Sequence, residues 1–169
     1  MPDAWIRQWG DPALHERARL VDSFDDLLRA QAARISRLLY SAGGAGLAAT
    51  QVGVLRRMFA FRIGPEDPID VMVNPSILDA ADELTTFVEG CLSFNSVAVA
   101  VRRPSWVRVG GQDIFGDFRE MECSGFAASL VQHEIDHLDG VLTLDRADRS
   151  ERARAVAVLN GVATRPAAA

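Results

Sequence analysis

Apolar residues recur along this chain with two different periods. Between 23 and 43 they fall at helical spacing, where Phe24, Leu27, Leu28, Ile35, Leu38 and Leu39 form one stripe. Ser23 is placed to cap that helix, with Asp26 three residues on as a short capping box, and Gly43 and Gly44 end it. The middle of the chain reads differently. VLRRMFAFRI (54–63), IDVMVNP (69–75), VAVAVRR (97–103) and SWVRVGG (105–111) are short, rich in β-branched and aromatic residues, and broken by Gly, Pro or Asp. With further pieces at 114–121 they predict a mostly antiparallel sheet. Helical spacing returns in GFAASLVQHEIDHL (125–138), through Phe126, Leu130, Val131 and Leu138, and a last helix is expected over 149–159. Helix, strands, helix is the order of an α+β domain. No repeat or linker interrupts it, so residues 1–163 read as one domain and 164–169 (TRPAAA) as a flexible tail.

Composition removes several function classes. A chain of 169 residues can bury a proper core. The net charge of -5 offers no basic face for a nucleic acid, so no direct nucleic-acid binding is expected. No apolar run is long enough for a membrane span, and the opening MPDAWIRQWGDPALHE lacks the apolar core of a secretory signal. Two cysteines make no disulfide framework. The expectation is a cytoplasmic protein with reduced thiols.

The candidate chemistry lies in QHEIDHLDG (132–140). On a helix, positions i and i+4 share a face, so His133 and His137 can point at one cation. Glu134 stands about 100° further round. From there it can reach a metal-bound water without itself being a ligand, as in zinc hydrolases. A solvated face of paired histidines and carboxylates is the bland alternative. Leu130, Val131 and Leu138 are close neighbours, however, and two unpaired histidines on a semi-buried face would be costly.

A catalytic site of this kind needs a third protein ligand. The position three residues beyond Gly140, a histidine in metzincins, is Thr143. Glu151 belongs to a surface helix among arginines, and His15 to a polar segment. Cys123 and Cys91 remain. Each reads as well as a small buried side chain as it does as a ligand, and composition does not separate the two readings.

Three segments in order resemble peptide deformylases: GAGLAATQVG (44–53), EGCLS (89–93) and QHEIDHLDG (132–140). Weaker similarity runs through GDPALHERARLVDSFD near the start, VNP (73–75) and GVLTLDR after the helix, so it covers most of the chain. The resemblance implies an α+β fold with mostly antiparallel sheets packed around a central helix that carries the H-E-x-x-H motif. It implies Cys91, His133 and His137 as ligands of one divalent metal, ferrous iron by family habit, with zinc, nickel or cobalt as substitutes. It further implies Glu134 as general base and acid, with the Gln51 amide and the Leu92 backbone N–H as oxyanion donors. The implied reaction removes the N-formyl group from the initiator methionine of new polypeptides through metal-bound hydroxide, the partners being N-formylated peptides and nascent chains at the ribosome. Gly44 and Gly46 leave backbone uncovered where an extended peptide can add as a strand. Ala45, Phe87, Phe126 and Leu130 are the candidates for the methionine side-chain pocket.

Several positions depart from the family pattern. Thr50 replaces the usual proline of the first box, and Phe94 and Asn95 follow E-G-C-L-S where an aliphatic residue and proline are common. Ala98 aligns with an arginine that contacts the substrate backbone in some members, with Arg102 and Arg103 further along. All of these fall beside the substrate cleft. They keep open a deformylase-like amidase for another N-formyl or N-acyl substrate, and a non-catalytic metal- or peptide-binding relative, against which intact Glu134 and Gln51 argue. A cysteine-nucleophile reading, with His133 as the base of Cys91, would require activity that survives a chelator.

Overall fold

The computed structural model describes residues 5–94 and 97–161. The expected tail (164–169) and Asn95 lie outside the described residues. Helix α1 (Asp26–Ala42) follows the predicted stripe in part: Leu28, Ala32, Ile35 and Leu39 are buried, whereas Leu27 is 55% exposed. The cap also differs from expectation. Asp25, not Ser23, accepts the Leu28 N–H at 2.8 Å, because its carboxylate stands at the true N-cap position. Gly43 ends the helix in the left-handed conformation, at φ 67°.

Seven strands follow: β1 (Gly46–Ala48), β2 (Met58–Phe61), β3 (Asp70–Ala80), β4 (Leu84–Glu89), β5 (Val99–Pro104), β6 (Trp106–Gln112) and β7 (Phe118–Ser124). They form a five-stranded sheet in the order β1-β2-β3-β6-β7 and a two-stranded sheet, β4-β5, with every pairing antiparallel. Two differences from the sequence reading stand out. Strand β3 runs beyond Pro75, which sits at a register shift between Val73 and Ser76 where the ladder can do without its N–H. Strand β4 was not expected, because its apolar residues include Leu84 and Val88, which are exposed and break the alternation that marks a half-buried strand.

Helix α2 (Gly125–Leu138), helix α3 (Thr143–Arg146) and helix α4 (Arg149–Leu159) complete the chain, and α2 and α4 match the predicted spans. The five-stranded sheet is buried on both faces at β2 and the start of β3, while the far end of β3 and much of β7 face solvent. Met58, Ala60 and Val73 pack with Leu28, Ile35 and Leu39 of α1. Their neighbours Phe59, Phe61 and Met72 pack with Val131, Ile135 and Leu138 of α2. The small sheet joins a third cluster, in which Val99 and Val101 meet Leu14, Leu142, Leu144 and Ala155. The α2 helix contacts strands of both sheets, and its last eleven residues, from Ala128 to Leu138, are all buried. On a helix enclosed on every side, a polar group left without a partner is costly. Among the described residues no helix is long and apolar enough to cross a membrane.

Candidate metal centre

His133 and His137, one turn apart on α2, are 7% and 1% exposed. Their Nε2 atoms stand 3.2 Å apart, with the rings inclined at 71°. Cys91, two residues past β4, brings Sγ to 3.2 Å from His137 Nε2. The three ligand atoms all lie within 4.8 Å of one another. Cys123 is elsewhere, packed in the apolar layer between β7 and α2, and burial pushes its thiol pKa up. Geometry therefore separates the two cysteines that composition left equivalent. His15 is exposed, and Glu151 is tied to the Ala100 N–H and to Arg154.

The surroundings fit a cation in this set. Glu89 Oε2 lies 2.9 Å from His133 Nδ1, so that nitrogen is the N–H donor and the Nε2 lone pair is free to face the sulfur. Every acceptor position of Glu89 is used. Arg103 donates through Nε to Oε1 at 2.6 Å and through Nη2 to Oε2 at 3.0 Å, and the Ser129 hydroxyl donates to Oε1 at 2.6 Å. Burial alone would raise the Glu89 carboxyl, but hydrogen bonds from His133 and Arg103, with the charge of Arg103, lower it to about 2. Arg103 passes its third contact to Asp136, Nη1 to Oδ2 at 2.7 Å, and Asp136 is clamped in turn by Arg146. One thiolate and two neutral imidazoles, the ring of His133 oriented by the carboxylate of Glu89, suit a borderline divalent ion such as zinc or ferrous iron.

Glu134 is 2% exposed, with Oε2 lacking any hydrogen-bond partner among the described residues. Burial pushes its carboxyl up to about 7, against the opposing influence of His133. Its other oxygen lies against Gly46, where any Cβ would overlap it. Gln51 stands in the 3-10 turn Ala49–Val52. Its Oε1 accepts the Ala48 N–H at 2.8 Å, which turns Nε2 toward Ser93 Oγ at 3.0 Å and Cys91 Sγ at 3.6 Å. Thr50 donates its hydroxyl to the His137 carbonyl at 3.0 Å, a bond that a proline at this position could not make.

A cavity of about 820 Å³ opens on this cluster. The side-chain pocket candidates Ala45, Phe87, Phe126 and Leu130 all line it, with the backbone-pairing glycines Gly44 and Gly46 and alongside Gln51, Leu92, His133 and Glu134. Phe126 is 57% exposed and forms the rim. Phe94 is buried edge-on against Trp9, whereas Ala98 is exposed at the mouth. Arg102 is exposed and Arg103 is turned inward to Glu89 and Asp136. The roles of Glu89, Arg103, Asp136 and Ser129 were not read from the sequence. Glu89 and Asp136 stood inside the quoted motifs, but no spacing rule connects them to an arginine on another strand.

The family model for polypeptide deformylases matches residues 3–153. The peptide deformylase of Thermotoga neapolitana is 42% identical over 147 residues, 87% of this chain and 88% of that protein. That of Thermosynechococcus vestitus is 40% identical over 150 residues, 87% of this chain and 80% of that protein. Among solved structures, a peptide deformylase from Legionella pneumophila aligns with a TM-score of 0.87 at 34% identity, covering 92% of each chain. One from Synechococcus elongatus in complex with actinonin aligns at 0.86 and 36% identity, covering 94% of this chain and 88% of that one.

Proposed function

The chain belongs to the peptide deformylase family and is a metal-dependent hydrolase that removes the formyl group from nascent peptides; from that premise we propose how its residues divide the work. Cys91, His133 and His137 hold the divalent ion; one thiolate with two imidazoles accepts either zinc or ferrous iron, and ferrous iron is the family's habit. When bound, such an ion supplies Lewis acidity, bringing the pKa of water toward neutrality and polarising a carbonyl.

The remaining chemistry belongs to side chains and backbone. Glu134 takes a proton from the attacking water on a carboxylate oxygen and later delivers it to the departing amine nitrogen. Its buried position and its carboxyl pKa of about 7 suit a group that must both accept and release that proton near neutral pH. As the formyl carbon becomes tetrahedral, charge gathers on its oxygen. The Gln51 Nε2–H and the Leu92 backbone N–H meet that charge, each contributing on the order of 3 kcal/mol to the transition state. The Gln51 amide is held for this role by the Ala48 N–H, which fixes which end carries the donors.

The free edge of β1, beside Gly44, pairs with the extended peptide backbone, while Ala45, Phe87, Phe126 and Leu130 receive the first side chain. Residues 1–163 act as one catalytic domain in the cytoplasm, on chains emerging from the ribosome. The observation that carries this reading is the convergence of Cys91, His133 and His137 within 4.8 Å, at the end of the cavity that holds Glu134 and Gln51. Phe94 and Ala98 at the cavity give a second reading some ground, in which a different N-formyl or N-acyl group is the substrate.

The test is formate release from formyl-Met-Ala-Ser in anaerobic buffer with ferrous iron, for wild type and Glu134→Ala. Release by wild type and a loss of at least about a hundredfold in the variant are expected. No release by wild type, with turnover of another N-acyl compound, would favour the second reading. Equal rates in both proteins would remove Glu134 from its role.

A further inference from the structure

Ser129 is a serine inside a helix that is otherwise mostly apolar over its first two turns, and it lines the cavity beside Phe126 and Leu130. A serine in such a position commonly turns its hydroxyl back to the carbonyl four residues earlier. Here it does not: the hydroxyl donates to Glu89 Oε1 at 2.6 Å. Ser129 and His133 are four residues apart on α2 and therefore share a face. The other oxygen of the same carboxylate, Oε2, meets His133 Nδ1 at 2.9 Å. Glu89 is thus fastened at both oxygens to one rigid helix, at two points one turn apart.

We propose that Ser129 is a positioning residue of the metal centre, which locks the Glu89 carboxylate against α2 and thereby fixes the ring of His133 toward the ion. The inference rests on the ligand set proposed above. Arg103 alone does not fix Glu89 in this way. Its guanidinium links Glu89 to α2 only indirectly, through Asp136 toward the C-terminal end of the helix. Ser129 adds a direct bond from α2 to the carboxylate, one turn before His133. It is 5% exposed, which keeps the bond out of competition with water. Without the hydroxyl, Glu89 Oε1 keeps Arg103 Nε as its one donor, and the carboxylate gains freedom to rotate away from Nδ1. The ring then loses its carboxylate partner for part of the time and keeps only the longer contact of Nδ1 with the Thr143 hydroxyl, at 3.3 Å, so the ligand detaches more readily.

The test uses the zinc-loaded protein and follows transfer of zinc to a chromogenic chelator in excess, for wild type, Ser129→Ala and Ser129→Thr. Ser129→Ala keeps the helix and nearly the volume but lacks the donor; Ser129→Thr retains it. Alanine should release zinc about 3- to 10-fold faster than wild type, one step weaker than loss of a direct partner of a ligand, and threonine should return the rate to within about twofold. Thermal melting of the three metal-free proteins shows whether all are folded, and a purely structural role would alter those melts without altering release from the folded, loaded protein. Release from Ser129→Ala at the wild-type rate, or equally fast release from the alanine and threonine variants, would overturn the proposal while leaving the ligand set intact. A wild type that binds no zinc would instead overturn the ligand set, and this inference with it.

Discussion

Glu89 and His133 meet carboxylate to imidazole at 2.9 Å, both buried, one at the end of β4 and the other in the middle of α2. Cys91 follows Glu89 by two residues. One short segment of chain therefore delivers both the sulfur and the group that orients a nitrogen facing it. The small sheet and the central helix are joined at this point, which makes the centre a tertiary feature rather than a helical one.

Glu89→Gln should weaken metal binding by about 10- to 100-fold, because the amide holds the Nδ1–H less strongly and changes the basicity of the ring. It also leaves Arg103 buried with Asp136 as its only anion, so the metal-free protein should lose roughly 3 kcal/mol of stability. Competition with a chelator of known affinity and urea denaturation measure the two effects. Affinity within twofold of wild type would show that the contact does not tune the ligand.

Gly46→Ala tests the space in front of Glu134. Its Cβ would overlap Glu134 Oε1 and crowd Leu130, so the carboxylate must swing out of line. Turnover should fall by about a hundredfold while one equivalent of metal still binds, since misplacing a general base by about 1 Å is enough for such a loss. Wild-type turnover would mean that Glu134 works from another position.

The two thiols should differ sharply toward a disulfide reagent. Cys91 is partly exposed at the cavity, whereas Cys123 is 1% exposed with its pKa raised by burial. The metal-free protein should react at one thiol, and the loaded protein at neither until a chelator is added. Rapid modification of two thiols in the folded, metal-free protein would contradict the burial of Cys123.

Much of this was legible from the residues. The spans of α2 and α4, the histidine pair and the neighbouring Glu134 follow from periodicity and i,i+4 geometry, which are local. Choosing Cys91 over Cys123 needed the resemblance, because both are small buried-type residues and only the fold decides which one meets α2. Strand β4 stayed hidden because Leu84 and Val88 face outward. The relay from Arg146 through Asp136 and Arg103 to Glu89 was hidden for a similar reason: its members sit on separate elements, and charged residues in a sequence look alike whether exposed or buried.

Asp25 gives a pH-dependent check far from the centre. The Leu28 N–H holds its carboxyl below the ordinary range, aided by Arg56. Because the folded pKa is lowered, the stabilisation is fully present above the unfolded value of about 3.9 and is lost as pH falls through the folded one. Asp25→Ala should therefore melt below wild type at pH 7, and the gap should narrow as pH falls below the unfolded value and close once Asp25 is protonated in the folded protein too. A gap that persists unchanged in acid would assign the effect to something other than the cap.

X-ray absorption of the zinc-loaded protein tests most directly whether Cys91, His133 and His137 share one ion. It should report one sulfur at about 2.3 Å and two imidazole nitrogens at about 2.0–2.1 Å. The sulfur shell should vanish in Cys91→Ser and persist in Cys123→Ser. A wild-type spectrum without sulfur, or one that loses it only in Cys123→Ser, would contradict the assignment.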